Sequence, residues 1–172
     1  MKLSVIVPVY NEKNTIEVII QKLLMVPINK EIIIVDDGST DGTSEILRRI
    51  SEQKSRLVKV IFQPKNMGKG YAIRRAINEV TGDVVVIQDA DLEYEPMDYL
   101  RMLEPIEQGR ADVVYGSRIL GRNQASSFSF YVGGRVLSFF TNLLYGTSIT
   151  DEPTCYKMFK SNVLKDIKLN CN

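Results

Sequence analysis

The chain has 172 residues, 44% apolar and 25% charged, with 22 basic against 21 acidic side chains and a formal net charge of +1. That is one globular domain's worth, neither disordered nor collagenous, and a near-neutral balance gives no bulk attraction to nucleic acid. It contains no histidine and only two cysteines, Cys155 and Cys171, which excludes imidazole bases, Ser-His and Cys-His pairs, histidine metal sites and a disulfide framework.

The start, Met1-Lys2-Leu3-Ser4-Val5, enters an apolar stretch that stops at Pro8, short of an export signal. No run of about 18 apolar residues occurs to span a bilayer, so a reduced, cytoplasmic setting with free thiols is expected. Leu3–Val7, Glu31–Val35, Leu57–Phe62, Val84–Ile87 and Val113–Tyr115 read as strands, several of them nearly continuous Val/Ile. Such runs suit a parallel sheet covered on both faces. Between the first two strands a helix is expected, with Asn14 as N-cap, Glu17 completing a capping box, and Ile16, Ile19, Ile20, Leu23 and Leu24 as its apolar stripe. Pro27 ends it. A second helix follows the Gly38–Gly42 turn, with Ile46, Leu47 and Ile50 inward. A third starts near Gly70, burying Ala72, Ile73, Ala76, Ile77 and Val80, and a fourth begins at Pro96. Alternation of this kind predicts an α/β fold, a doubly wound, mostly parallel sheet flanked by helices.

After Arg122 the texture changes: from Asn123 to Thr150 the only charged residue is Arg135. Val132, Val136, Phe139, Phe140, Leu143 and Leu144 form one helical stripe, and Arg135, Ser138 and Asn142 line the opposite face. Two readings stand: an amphipathic core helix, or a helix at a membrane surface or apolar ligand with its arginine facing an anion. The sequence stops at Asn172 with no closing element, so truncation is expected.

Open α/β sheets bind ligands beyond the carboxyl ends of their strands. There the chain places Pro8-Val9-Tyr10-Asn11-Glu12, then Asp36-Asp37-Gly38-Ser39-Thr40-Asp41-Gly42, then Asp89-Ala90-Asp91-Leu92-Glu93, then Gly116-Ser117-Arg118. So many anions along one edge repel each other and raise each other's pKa unless a cation or hydrogen-bond donors share the site. Asp89 and Asp91, two apart on leaving a strand, can approach one hard cation, and Glu93 can join by the same step. Mg²⁺ is usually held by one or two carboxylates plus phosphate oxygens. Asp-x-Asp also occurs by chance in turns, and Asp41 or Thr40 can simply cap the next helix. Asp36-Asp37 is similar to the acidic pocket of phospho-receiver domains, but the third strand ends Phe62-Gln63-Pro64-Lys65-Asn66, with no carboxylate to phosphorylate. Gly68-Lys69-Gly70 at a helix start can cradle a phosphate or serve only as a turn. It is not a Walker motif, and Tyr10 and Glu12 stand where a dinucleotide fold carries glycines.

Pro8–Glu12, Val35–Thr43, Asn66–Gly70, Asp89–Asp91 and Gly116–Arg118, in this order and spacing, together resemble the nucleotide-sugar-binding domain of glycosyltransferase family 2, with the GT-A fold. Gly116–Arg118, Gly133–Arg135 and Asp151–Lys157 narrow the resemblance to polyprenyl-phosphate glycosyltransferases of the dolichyl-phosphate mannose synthase type. The resemblance implies one catalytic domain over 1–172, with 1–122 as the nucleotide-sugar-binding half and 123–172 opening the acceptor half. It implies that Pro8, Val9, Tyr10, Glu12, Val35 and Asp37 hold base and ribose, Asp37 accepting from a base N–H. Asp89, Ala90 and Asp91 would contact ribose and diphosphate, with Lys69 and Arg118 beside them. Asp89, Asp91 and Glu93 would hold Mg²⁺ or Mn²⁺. Glu93 stands where related synthases often carry Gln, and the family's further contacts past Lys160 are absent.

The implied reaction moves a hexosyl group, with inversion, from a nucleoside-diphosphate sugar to a polyprenyl phosphate. That acceptor, with a second pKa near ~6, is anionic at neutral pH and needs no base. Arg118, Arg135 and Ser138 would bind it, and the uncharged stretch around Phe128–Leu144 would face lipid, making the protein peripheral at the cytoplasmic membrane face. A saccharide hydroxyl acceptor with Asp151 as base, and a non-catalytic nucleotide-sugar-binding remnant, are the alternatives. Donor identity and oligomeric state are not legible.

Overall fold

A computed structural model of the chain describes residues 1–54, 56–120 and 128–167. Cys171 and the expected boundary at 122/123 lie outside the described residues. In chain order the elements are β1 (Leu3–Val9), α1 (Ile16–Met25), β2 (Lys30–Asp36), α2 (Thr43–Gln53), β3 (Val58–Phe62), α3 (Lys69–Ile77), β4 (Val84–Ile87), α4 (Tyr99–Glu107, led in by a 3₁₀ turn at Pro96–Asp98), β5 (Val113–Tyr115), α5 (Phe128–Tyr145), β6 (Lys157–Lys160) and α6 (Ser161–Asp166). The sheet order is β3-β2-β1-β4-β6-β5. The first four of these pair in parallel, while β6 runs antiparallel to both β4 and β5. β5 therefore points the same way as β4, and its Gly116–Arg118 exit joins the same edge as the other strand ends.

Alternation along the strands sends side chains to two cores. Val5, Val7, Ile32 and Ile34 pack with α1, α2 and α4, whereas Ile6, Ile33 and Val35 pack with α3 and α6. Both faces are covered, which is why these strands read as unbroken Val/Ile. α1 is held by this burial. Ile16, Ile19, Ile20 and Leu23 are buried, while its N-cap is Thr15 and makes no side-chain capping bond. Four such side chains contribute roughly 1.5–3 kcal/mol each, against about 1 kcal/mol for a cap. The expected capping box at Asn14 is not formed. The Thr15 hydroxyl instead bonds to Glu12 Oε2 at 2.5 Å.

α5 is built inside out. Ser138 is buried and Gly134, Thr141 and Asn142 are half-buried, while Val136, Phe139, Leu143 and Leu144 are exposed, Leu144 by 74%. The small and polar stripe faces the body because the 147–152 loop needs partners. Asn142 Nδ2 donates to the Ile149 carbonyl and Asn142 Oδ1 accepts from Ile149 N–H, while Ser138 Oγ accepts from Glu152 N–H. The core-helix expectation is thus corrected. Among the described residues, no helix is long and apolar enough to cross a membrane.

Candidate functional site

The strand order reverses between β1 and β4, and a cleft of about 350 Å³ opens there at the carboxyl edge of the sheet. Pro8, Val9, Tyr10 and Glu12 line it from β1, Asp37 from β2, Asn66, Gly68, Lys69 and Ala72 from the start of α3, and Asp89, Ala90 and Asp91 from β4. Every one of the sequence-predicted nucleotide-side residues is gathered here except Val35 and Arg118. The Val35 side chain is fully buried between sheet and α3 and does not line the cleft.

The cleft is shaped by loops that bond to one another. Asn11, at φ 57, donates its N–H to Ser39 Oγ and accepts from Thr40 N–H; asparagine tolerates this left-handed conformation. Asp36, buried, accepts from Ser39 N–H and from the Ser44 hydroxyl, so it shapes the turn and does not face the cleft. Gly38, at φ +74, lets that turn pass so close to the 65–66 backbone that a Cβ would lie 2.7 Å from Lys65 C. Asp37, 3% exposed, accepts from Gln63 Nε2 at 2.7 Å, Met67 N–H at 2.8 Å and Gly68 N–H at 2.8 Å. A carboxylate offers about four acceptor positions. The position left, on Oδ2, is enough for one ligand N–H.

At the end of β4 the backbone is set from below. Buried Gln88 donates from Nε2 to the Asp89 carbonyl at 2.9 Å, and its Oε1 accepts from the Tyr99 and Tyr156 hydroxyls. Asp89 itself is ion-paired with Lys69, Nζ to Oδ1 2.5 Å. Partial burial pulls the Lys69 ammonium down, but the Asp89 bond and the negative charges around it together hold its pKa above the ordinary value. Asp91 is exposed and, among the described residues, accepts only from the Glu93 N–H at 3.1 Å. With Leu92 left-handed at φ 65, this turn carries Glu93 away from the first cleft. Among the described residues no three acidic or thiol side chains converge on one ion position; of the expected set, Asp89 and Asp91 line the first cleft and Glu93 the second. Two carboxylates in one cleft, open toward its mouth, do match a cation completed by phosphate oxygens.

A second cleft of about 330 Å³ adjoins the first and shares Lys69 and Asp89 with it. Glu93, Tyr94, Arg118, Pro153, Thr154, Cys155 and Lys157 line it. Tyr94, Pro153, Thr154, Cys155 and Lys157 are not among the sequence-predicted site residues; the last four lead into or begin β6, which carries no strand signal of its own. That strand has four residues and pairs only with β4 and β5. The Tyr94 ring stacks on Tyr156 with centroids 4.4 Å apart, and the Tyr94 hydroxyl accepts from Cys155 N–H. Burial first, then the Asp89 charge, pushes the Cys155 thiol up to about 12, so it is no nucleophile.

Arg118 grips Asp151. Asp151 Oδ2 accepts from Arg118 N–H at 3.0 Å and Nε at 2.9 Å, and Oδ1 accepts from Nη2 at 3.0 Å. Asp151 is 3% exposed. Burial would raise its carboxyl, but these bonds outweigh it and hold the pKa below the usual carboxylate value. A general base works best with a pKa near the working pH, so Asp151 is badly placed and badly tuned for one. The Nη1 of Arg118 remains available to the second cleft. Ser138 is bound inward, donating to the Gly134 carbonyl at 2.9 Å, and lines neither cleft. Arg135 is exposed and also lines neither.

Comparison with known proteins matches residues 4–168 to the sequence model of Glycosyl transferase family 2. A dolichol-phosphate mannosyltransferase of Pyrococcus furiosus is 36% identical over 76% of this chain and 37% of its own length. An undecaprenyl-phosphate 4-deoxy-4-formamido-L-arabinose transferase of Serratia proteamaculans is 30% identical over 99% of this chain and 52% of its own. The chain thus spans about a third to a half of these curated relatives. Among solved structures, a mannosyltransferase of Pyrobaculum calidifontis in complex with GDP-Man and Mn²⁺ superposes with TM-score 0.66 at 24% identity, over 95% of this chain and 45% of its own. Glucosyl-3-phosphoglycerate synthase of Mycobacterium tuberculosis, in complex with Mn²⁺, UDP and phosphoglyceric acid, gives 0.71 at 24% identity, over 96% of this chain and 58% of its own. At that identity the structures speak to the fold.

Proposed function

This chain belongs to glycosyltransferase family 2 and carries the GT-A fold, and from that premise we propose that it transfers a hexosyl group from a nucleoside-diphosphate sugar to a polyprenyl phosphate, with inversion. The observation that carries the reading is the pair of abutting clefts that share Lys69 and Asp89. Pro8, Val9, Tyr10 and Glu12 embrace base and ribose, and Asp37 accepts one base N–H on its remaining lone pair. Asp91, with Asp89, holds Mg²⁺ or Mn²⁺ together with the diphosphate oxygens. When bound, that ion stabilises the charge of the departing diphosphate.

The acceptor enters by the second cleft, where Lys69, Arg118 and Lys157 stand against Asp89 and Glu93. Its phosphate oxygen attacks the anomeric carbon as the bond to the donor diphosphate breaks. The acceptor is already an anion and gives up no proton, so a base is unnecessary. Arg118 offers Nη1, its Nε–H and one Nη2–H being committed to Asp151. Arg135 adds a further cation from α5; its neighbour Gly134 rests on Pro153 in the wall of this cleft. The outward apolar face of α5 then meets prenyl chain or membrane surface, in keeping with the lipid-phosphate transferases among its relatives. A saccharide acceptor activated by Asp151 is the weaker reading, because that carboxylate is sequestered under Arg118.

The test is transfer. The protein is incubated with Mn²⁺, a polyprenyl phosphate and radiolabelled GDP-mannose or UDP-glucose in turn. Label moving into an organic-extractable product supports the proposal. Donor binding without extractable label, for every donor and lipid tried, overturns it in favour of a binding remnant.

A further inference from the structure

The position of Lys69 is not explained by the helix it opens. It is the first residue of α3, whose first turn carries no acid. A cation at that positive end is disfavoured by about 0.3–1 kcal/mol. What holds it is outside the helix: Asp89 Oδ1 at 2.5 Å, with Cys155 Sγ 3.9 Å beyond. The pair forms the sill between the two clefts, being the part of the wall they share. It is also more open to solvent on the lysine side than on the other, with 53% of the Lys69 side chain exposed against 20% of Asp89.

We propose that Lys69 is a placeholder cation, compensating Asp89 in the ligand-free protein and releasing it, to bind a diphosphate oxygen, when a divalent ion and donor enter. The inference rests on the nucleotide-sugar reading above and adds a defined exchange to it. Three features make the exchange feasible. A lysine ammonium is a point charge on a flexible four-carbon stem, able to move between oxygen partners without losing its charge. Asp89, with 20% of its side chain exposed and Asp91 lining the same cleft, is an anion that needs a cation beside it, since the two carboxylates repel each other. The Asp89 backbone is fixed by Gln88 from beneath, so the carboxylate stays while the lysine leaves.

The experiment measures Mn²⁺ alone, by the electron paramagnetic resonance of the free ion, on the full chain and on Lys69→Met and Lys65→Met. Lys65 is an exposed neighbour of the same loop that lines neither cleft. It reports what loss of one nearby positive charge does through the field alone. Lys69→Met is expected to bind Mn²⁺ about fivefold tighter than wild type, yet to bind UDP or GDP with Mn²⁺ present several-fold more weakly. Lys65→Met is expected to change Mn²⁺ binding less than twofold. Equal Mn²⁺ affinities for wild type and Lys69→Met overturn the exchange, as does an equal gain in both variants. If wild type binds the nucleotide with Mn²⁺ but the Lys69 variant shows no such opposed changes, the exchange alone fails. If wild type binds neither ion nor nucleotide, the nucleotide-sugar reading falls with it.

Discussion

Replacing Asp151 with asparagine keeps the shape of the side chain and removes its charge, and so separates a positioning partner of Arg118 from a general base. Asp151 accepts three N–H groups from Arg118, at 3.0, 2.9 and 3.0 Å. The asparagine carbonyl can keep the two that converge on Oδ2. In place of Oδ1 it presents an amide NH₂ to Nη2, losing one charge-assisted bond and opposing donor to donor. Such bonds are worth about 1.5–3 kcal/mol each. Arg118 is 34% exposed, so water recovers part of the loss on its side. The net expectation is about 2 kcal/mol, roughly a 30-fold shift in the folding equilibrium, and a melting temperature lower by about 4–8 °C for a domain of this size. The pH dependence follows from the sign of the shift. The folded carboxyl lies below its ordinary value, so its stabilisation is complete above the unfolded pKa of about 3.9 and fades as pH falls through the lower folded value. Urea titrations of both proteins should therefore show a full gap at pH 7 that narrows below pH 4. Transfer activity supplies the second readout. Loss of a general base costs about 10²–10⁴-fold, whereas loss of this bond should cost less than about tenfold. A stability gap under 0.5 kcal/mol at pH 7, or activity lost a thousandfold in a folded variant, would refute the reasoning.

Other expectations follow from the same structure. Glu31 accepts from Lys2, Ser4 and Thr81. Burial opposes ionisation there, yet these bonds hold its carboxyl down at about 2. Its contribution is present above the ordinary glutamate value near 4.5 and is lost as pH falls towards 2; Glu31→Gln should cost about 2 kcal/mol at pH 7 by urea denaturation and nearly nothing at pH 2. Gly38→Ala places a methyl 2.7 Å from Lys65 C at φ +74, so it should lose at least about 2 kcal/mol and weaken nucleotide binding, as read by thermal shift with and without UDP or GDP. Asp91→Ala should remove the gain in nucleoside-diphosphate affinity that Mn²⁺ confers, measured by calorimetry with and without the ion, while leaving the melting temperature within about 2 °C. Among the described residues its carboxylate supports only the Glu93 N–H.

Much of the first cleft was legible because strands, turns and helix starts carry local signals. Val/Ile runs marked the parallel strands, and their ends placed Tyr10, Asp37 and Asp89 on one edge. What was not legible depended on non-local partners. β6 is four residues whose pairing strands lie far away in sequence, and with it went the walls of the second cleft. The periodicity of 132–144 separates the apolar stripe of α5 from Ser138 and Asn142, while Arg135, expected beside Ser138, is exposed. It does not say which of the two stripes turns inward. That was decided by the backbone groups of the 147–152 loop, which Ser138 and Asn142 satisfy. In the sequence Arg118 and Asp151 carry separate expected tasks, and only the fold joins them. The two-residue step that lines Glu93 up with Asp89 and Asp91 belongs to an extended chain, and Leu92 at φ 65 departs from it. Val35 sits at the right strand end, but strand alternation turns its side chain into the core beneath α3.

The central claim is that Asp89 and Asp91 mark the place where a donor diphosphate and a divalent ion meet, at the β1/β4 edge. A crystal of this chain grown with UDP or GDP and Mn²⁺, with anomalous data at the manganese edge, tests it directly. The account predicts one anomalous peak within bonding distance of an Asp91 oxygen and of the diphosphate, with Lys69 moved from Asp89 to a phosphate oxygen. A diphosphate bound elsewhere, or beside Asp91 with no ion between them, contradicts it.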